Sequence, residues 1–237
     1  MKRIMIFTMA ALLSVAFQQN RAGAASDVKP ELTVALLSGT KWGPEHQAGK
    51  YVTFKSGGVY EGWEDFLQDG VKLSGSYAIT GGALNLADEK RSPFLSGGAL
   101  KADAASLRFT RYLIFDGGVK LWDLNSKVAA GKNVTASGVK AVAMGVRSGV
   151  VTMNAKLRSG PSHTAPEMTF ERFKESGEMD TEKLAFLPAG TTVVILARTE
   201  RKMKVQQWEN YWFYIEVEEP IDHWKSGWVF AEFIKPQ

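Results

Sequence analysis

The sequence predicts an all-β protein built from two small antiparallel barrel or sandwich units behind a leader segment. Three observations carry this expectation. Paired glycines recur through residues 31–124 at hairpin-like spacing. Apolar and polar residues alternate with a period of two around them. A second block, residues 151–237, concentrates aromatic and β-branched runs between Gly and Pro signals.

The leader accounts for most of the chain's net charge. Lys2 and Arg3 precede an apolar run from Ile4 to Phe17, and Ala22-Gly23-Ala24 supplies a small-residue cleavage pattern. The run has 14 residues, short of the ~20 needed to cross a bilayer comfortably. Residues 1–24 are therefore expected to be a signal peptide, and the mature protein to be periplasmic or secreted, with no segment inserted in a membrane. The chain holds no cysteine, so the leader offers no thiol for lipidation and the folded part no disulfide. The whole chain has 29 basic and 25 acidic residues, a formal charge of +4, and removing Lys2, Arg3 and Arg21 leaves 26 against 25. A nearly neutral chain is poorly suited to gripping phosphates, so no nucleic-acid partner is expected.

The first unit, residues 31–124, reads as a β-meander. Its punctuation is Ser56-Gly57-Gly58-Val59, Thr80-Gly81-Gly82-Ala83, Ser96-Gly97-Gly98-Ala99 and Asp116-Gly117-Gly118-Val119, each expected to be a tight hairpin turn. Between them, Val71, Leu73, Tyr77 and Ile79 alternate with polar or small residues, which makes a strand with one apolar face. The order Gly39-Thr40-Lys41-Trp42, Tyr51-Val52-Thr53-Phe54 and Gly75-Ser76-Tyr77-Ala78-Ile79 loosely resembles lipocalin-like and related secreted antiparallel barrels. Residues 125–150 contain small residues, valine and lysine but no aromatic, and are expected to connect the units, with a short strand near Val139–Val146.

The second unit carries the more specific signal. Val151–Leu157 leads into Arg158-Ser159-Gly160-Pro161-Ser162, then Leu187-Pro188-Ala189-Gly190-Thr191 into a Val-rich run, then Trp208–Val217, then Ser226-Gly227-Trp228-Val229 and a short closing run. This succession resembles the bacterial SH3-like (SH3b) family, in which the same elements occur in that order, and implies an SH3-like barrel over 151–237. One departure is the polar stretch from His163 to Lys183, longer than the family carries, expected to be an insertion beside the ligand groove. Gly190 and Gly227 are both expected to serve turns.

Candidate ligand contacts come from strand parity. Phe213, Ile215 and Val217 should face the core, leaving Trp212 and Tyr214 on the opposite, exposed face. With Trp208, Tyr211 and Trp224 they form a candidate aromatic groove, and Arg158 lies at the strand exit the resemblance associates with it. Flat rings with a polar edge suit peptides or glycans. The carboxylates Glu216, Glu218, Glu219 and Asp222 are expected to make one mouth acidic and to favour an amine-bearing ligand. Those around Trp63 (Glu61, Glu64, Asp65, Asp69) read as a solvated loop.

Catalytic constellations are not legible. His46, His163 and His223 are widely spaced and read as surface loop residues. The sequence contains no HExxH helix, no G-x-S-x-G elbow and no phosphate-binding loop, and no cofactor or metal is expected. The expectation is a non-catalytic exported binding protein whose SH3-like unit takes cell-wall peptide or an envelope protein partner. The alternatives are a lipocalin-like carrier of a small apolar ligand in the first unit, or an accessory, targeting part of a cell-wall hydrolase.

Overall fold

The computed structural model describes residues 31–46, 51–63, 72–88, 93–102, 106–174, 180–220 and 223–237. The expected signal peptide lies outside the described residues, as do Val71 and the acidic Glu64, Asp65, Asp69 and Asp222.

Paired glycines and period-two alternation produce an up-and-down meander in the first unit. Its strands are β1 (Lys41–Gly43), β2 (Val52–Lys55), β3 (Val59–Trp63), β4 (Lys72–Thr80), β5 (Ala83–Asp88), β6 (Pro93–Lys101), β7 (Tyr112–Ile114) and β8 (Lys120–Asp123). Each pairs antiparallel with the next, and Trp42 of β1 pairs with Asp123 of β8, so the sheet closes on itself and leaves no edge. An eight-stranded barrel has an interior that side chains can fill. Here Trp42, Phe54, Tyr60, Leu84, Leu113 and Leu121 are fully enclosed within one cluster. A single helical turn, α1 (Val34–Leu37), adds Leu37 to that cluster, and its N-cap Thr33 accepts a hydrogen bond from the Leu36 amide.

Three of the four Gly-Gly segments are turns, and the third is not. Ser96–Ala99 lies inside β6, where Gly97 has φ +70° and the β5–β6 register shifts. The Gly97 amide donates to Asn85 Oδ1 at 3.1 Å. A Cβ at Gly97 would run into the Asp116 carboxylate, and one at Gly98 would meet the Phe115 ring at 2.6 Å. The positive φ and the register shift mark a β-bulge here, a device by which sheets curl into barrels. Sequence spacing does not separate a bulge from a turn, since both need positive φ.

The stretch expected to be a connection is largely sheet. β9 (Asn133–Ala136) and β10 (Val139–Val151) form a hairpin through Ser137-Gly138, both at positive φ. β10 is a 13-residue strand that pairs with β9, β15 and β20 in turn. It bends at a register shift between Ala143 and Arg147, with Gly145 and Val146 at positive φ. The remaining strands are β11 (Leu157–Arg158), β12 (Glu167–Met168), β13 (Phe170–Phe173), β14 (Thr181–Leu184), β15 (Thr192–Thr199), β16 (Met203–Val205), β17 (Trp208–Asn210), β18 (Trp212–Glu219), β19 (His223–Phe230) and β20 (Ile234–Pro236). The main sheet runs β12-β11-β19-β18-β15-β10-β20 and curls as a half-barrel around Leu157, Leu187, Val193, Ile195, Ile215, Val217 and Val229.

The polar insertion after Ser162 contributes to this core. Strands β13 and β14 form a separate hairpin whose Phe170 is buried, and Met168 and Leu184 pack beside it on the same cluster. Its exposed face carries an ion pair, Lys174–Asp180. The Lys174 side chain holds the Asp180 carboxyl below the ordinary aspartate range, chiefly through their hydrogen bond. Gly227, expected at a turn, lies mid-strand in β19 opposite Ile215. β11 approaches so closely there that a Cβ would sit 2.8 Å from Leu157 Cδ1 and 2.9 Å from the Arg158 carbonyl oxygen. Glycine is needed at this position for close approach rather than for a turn.

Candidate functional site

The strand parity inferred for β18 holds, but its consequence does not. Phe213, Ile215 and Val217 belong to the half-barrel core, and Trp212 and Tyr214 point the other way. Around Trp212 that other face is covered, while Tyr214 is half-buried. The β9–β10 hairpin lays Ala136 and Ala141 over it, and with Ala197, Trp228 and Phe230 they enclose Trp212, which is only 2% exposed. Trp212 packs edge-on to Phe230 at 5.4 Å between centroids. Tyr214 packs edge-on to Trp228 at 5.2 Å, with its hydroxyl hydrogen-bonded to Ser226 Oγ at 2.8 Å. The sheet has two cores because the segment read as a linker supplies the second one's cover.

The remaining candidates are dispersed. Trp208 packs edge-on to Phe233, 5.8 Å away. Tyr211 is flanked by Arg198 at 4.2 Å and Lys202 at 5.9 Å from its ring centre. Arg158 is held by the Ala165 carbonyl at 2.7 Å and by Glu167 at 3.2 Å. The Glu167 carboxyl is held below its usual range, first by its hydrogen bond to Lys156, with the charges of Lys156 and Arg158 adding to the effect. Trp208 and Tyr214 pack against the cluster around Trp212 and Tyr211 against the half-barrel core, so these rings are not gathered on one face of the sheet.

Trp224 stands at the seam between the two β units. His46, expected as a surface loop residue, stacks on it at 5.0 Å with an interplanar angle of 16°. The Arg108 guanidinium lies 5.3 Å from the Trp224 ring centre. Arg108 Nε donates to Glu216 Oε2 at 2.7 Å and Nη2 donates to the same oxygen, while His46 Nδ1 lies 3.6 Å from it. Two carboxylates of the expected acidic mouth are thus engaged from within, while Glu218 is exposed. Glu216 is spent on Arg108, and Glu219 accepts from the Glu171 amide at 2.7 Å and pairs with Lys225 at 3.2 Å. An amine-bearing ligand would find these two carboxylates already engaged.

Beside this junction the seam opens into a cleft of about 400 Å³, toward the small end of the ~300–1,000 Å³ range of small-molecule sites. The first unit contributes Ala102, Ser106, Phe109, Thr110 and Arg111, the chain leaving the barrel adds Val128, and the approach to and start of β9 add Lys132, Asn133 and Val134. Phe109 and Val128 are buried, and Val134 also packs against the cluster around Trp212. The walls are fixed by main-chain bonds. The Val128 amide donates to the Arg108 carbonyl at 2.9 Å, the Thr110 amide to the Ser126 carbonyl at 2.8 Å, and the Ala143 amide to the Lys132 carbonyl at 2.8 Å. Ser106 Oγ accepts from the Arg108 amide at 3.0 Å and donates to Glu45. Arg111 pairs with Asp123, whose side chain is fully enclosed.

Sequence patterning missed this cleft because its lining comes from three separated stretches without a shared motif. One signal was available: Asn133–Ala136 and Val139–Val142 flank Ser137-Gly138 as two alternating runs, a hairpin pattern that marks residues 133–142 as structure rather than connection. Among the described residues no group of three or more His, Cys, Asp or Glu side chains is placed to hold a metal ion, and no helix is long and apolar enough to cross a membrane. Comparison of the chain with protein-family models, with curated proteins and with solved structures found no match.

Proposed function

We propose that this is an exported, non-catalytic binding protein of the cell envelope that takes a short peptide of the cell-wall type in the cleft between its two β units. One observation carries the reading: a cleft lined by apolar Phe109, Val128 and Val134 and by polar Lys132 and Asn133, where the first barrel meets the start of the β9–β10 hairpin. Sites between units, mostly apolar with a few convergent polar groups, are where small ligands bind. The leader supports export. The SH3-like order of motifs in 151–237 supports a wall-directed role, with the binding surface moved from the aromatic strand to the seam. The packed interior of the first barrel, with Trp42, Phe54 and Tyr60 enclosed, favours the seam over a carrier role for that interior.

Calorimetric titration of the full mature chain with purified muropeptides tests this. Saturable binding is expected, and Ala102→Trp should abolish it: Ala102 is exposed at the cleft edge, so a ring there blocks the opening without disturbing a core. Absence of binding to the wild-type protein, or equal binding to Ala102→Trp, would remove the proposal.

A further inference from the structure

We infer that the cleft selects ligands carrying an acidic group beside an apolar body, with Lys132 and Asn133 reading the acid; this rests on the cleft being the binding site. Most of the polar lining is already committed. Ser106 Oγ makes bonds to Glu45 and to the Arg108 and Phe109 amides. Thr110 Oγ1 donates to the Ser126 carbonyl at 3.0 Å. Arg111 is committed to Asp123, which also accepts from the Asn125 amide at 3.0 Å. After these, the polar side chains of the lining with no partner among the described residues are Lys132 and Asn133, consecutive where the chain enters β9.

Their placement is not that of a loose loop. The Lys132 amide donates to the Ala129 carbonyl at 3.4 Å and its carbonyl accepts from Ala143, so the backbone is tied to β10 and to the preceding turn. Asn133 begins β9 and pairs with Val142. An ammonium and a carboxamide N–H from neighbouring residues together suit a carboxylate, sulfonate or phosphate oxygen pair, since charge-assisted bonds are the stronger kind. Glu45 and Asp123, the carboxylates bonded to this lining, are both engaged, so a cationic ligand would meet Lys132 and Arg111 without a free partner. Phe109, Val128 and Val134 then take the apolar body. A stem peptide with a free carboxylate meets this description.

Two dyes differing by one group test the inference in the full mature chain. 8-Anilinonaphthalene-1-sulfonate carries the acid, and N-phenyl-1-naphthylamine is the same aromatic body without it. Both should brighten on binding to the wild-type protein, and both should fail to bind Ala102→Trp. Lys132→Gln, at an exposed position, should weaken the sulfonate dye roughly 3- to 5-fold, the size expected of a partly exposed charge pair, and leave the neutral dye unchanged. The sulfonate's advantage should also shrink as salt rises. Unchanged sulfonate binding to Lys132→Gln, or equal weakening of both dyes, overturns the acid-reading role while leaving the cleft as a site. Failure of either dye to bind the wild type in an Ala102→Trp-sensitive way overturns the cleft and the acid reading together.

Discussion

Replacing Glu216 by alanine should destabilise the protein by about 3–5 kcal/mol, because it strands a guanidinium whose charge has nowhere else to go. The Arg108 and Glu216 side chains are 11% and 12% exposed, and the pair joins the loop before β7 to the middle of β18. Removing one partner of such a pair costs the full desolvation of the other, which is far more than the net worth of the pair. The double variant Arg108→Met/Glu216→Leu, which replaces both with apolar groups of similar size, should lie within about 1 kcal/mol of wild type. Urea unfolding of the three proteins is the measurement. A lowered m-value or a second transition in Glu216→Ala would show that the two β units have begun to unfold separately. A loss below about 0.5 kcal/mol, the size of an ordinary surface change, would mean that water already solvates the pair and that the seam is not dry.

Trp228→Ala should cost a similar amount, about 3–5 kcal/mol. The ring is fully enclosed, β19 places it opposite Tyr214 on one side and Arg158 on the other, and it centres the core that the β9–β10 hairpin covers. Alanine there leaves a void that the curled sheet cannot close, since Tyr214 is also fixed by its bond to Ser226. Trp228→Phe makes the sharper test. The indole Nε1 of Trp228 has no acceptor among the described residues, so phenylalanine loses volume but no hydrogen bond. It should recover more than half of the alanine loss, because removing an unmet buried donor offsets part of the void. Equal losses for the two variants, measured by urea unfolding, would mean that the indole N–H is bonded in solution.

Both effects depend on surfaces that meet only in the folded chain, and these mark the point where sequence reasoning stopped. In the first unit, the Gly57-Gly58 and Gly81-Gly82 turns and the alternation around Tyr77 are local facts, and they led to the meander. The Gly97-Gly98 pair reads the same way in sequence yet is a bulge, because its role depends on contacts with Asp116 and Phe115, far along the chain. In the second unit, the alternation of Trp212 and Tyr214 against Phe213 and Ile215 was legible from parity. What covers the Trp212 face was not, since Ala136 and Ala141 lie far upstream in a stretch whose small side chains read as a linker. Ala136 and Ala141 are both fully or nearly fully buried in the cluster that holds Trp212.

By itself the sequence determined the all-β class, the meander with most of its turns, and the two faces of the aromatic strand, since each depends on near neighbours in the chain and on backbone preferences of glycine and β-branched side chains. Only the tertiary structure decided which face is covered, that the polar insertion adds Phe170 to a core, and that Lys132 and Asn133 share a cleft with Phe109. Burial and pairing are properties of surfaces brought together from distant segments, and no local pattern encodes which surfaces will meet.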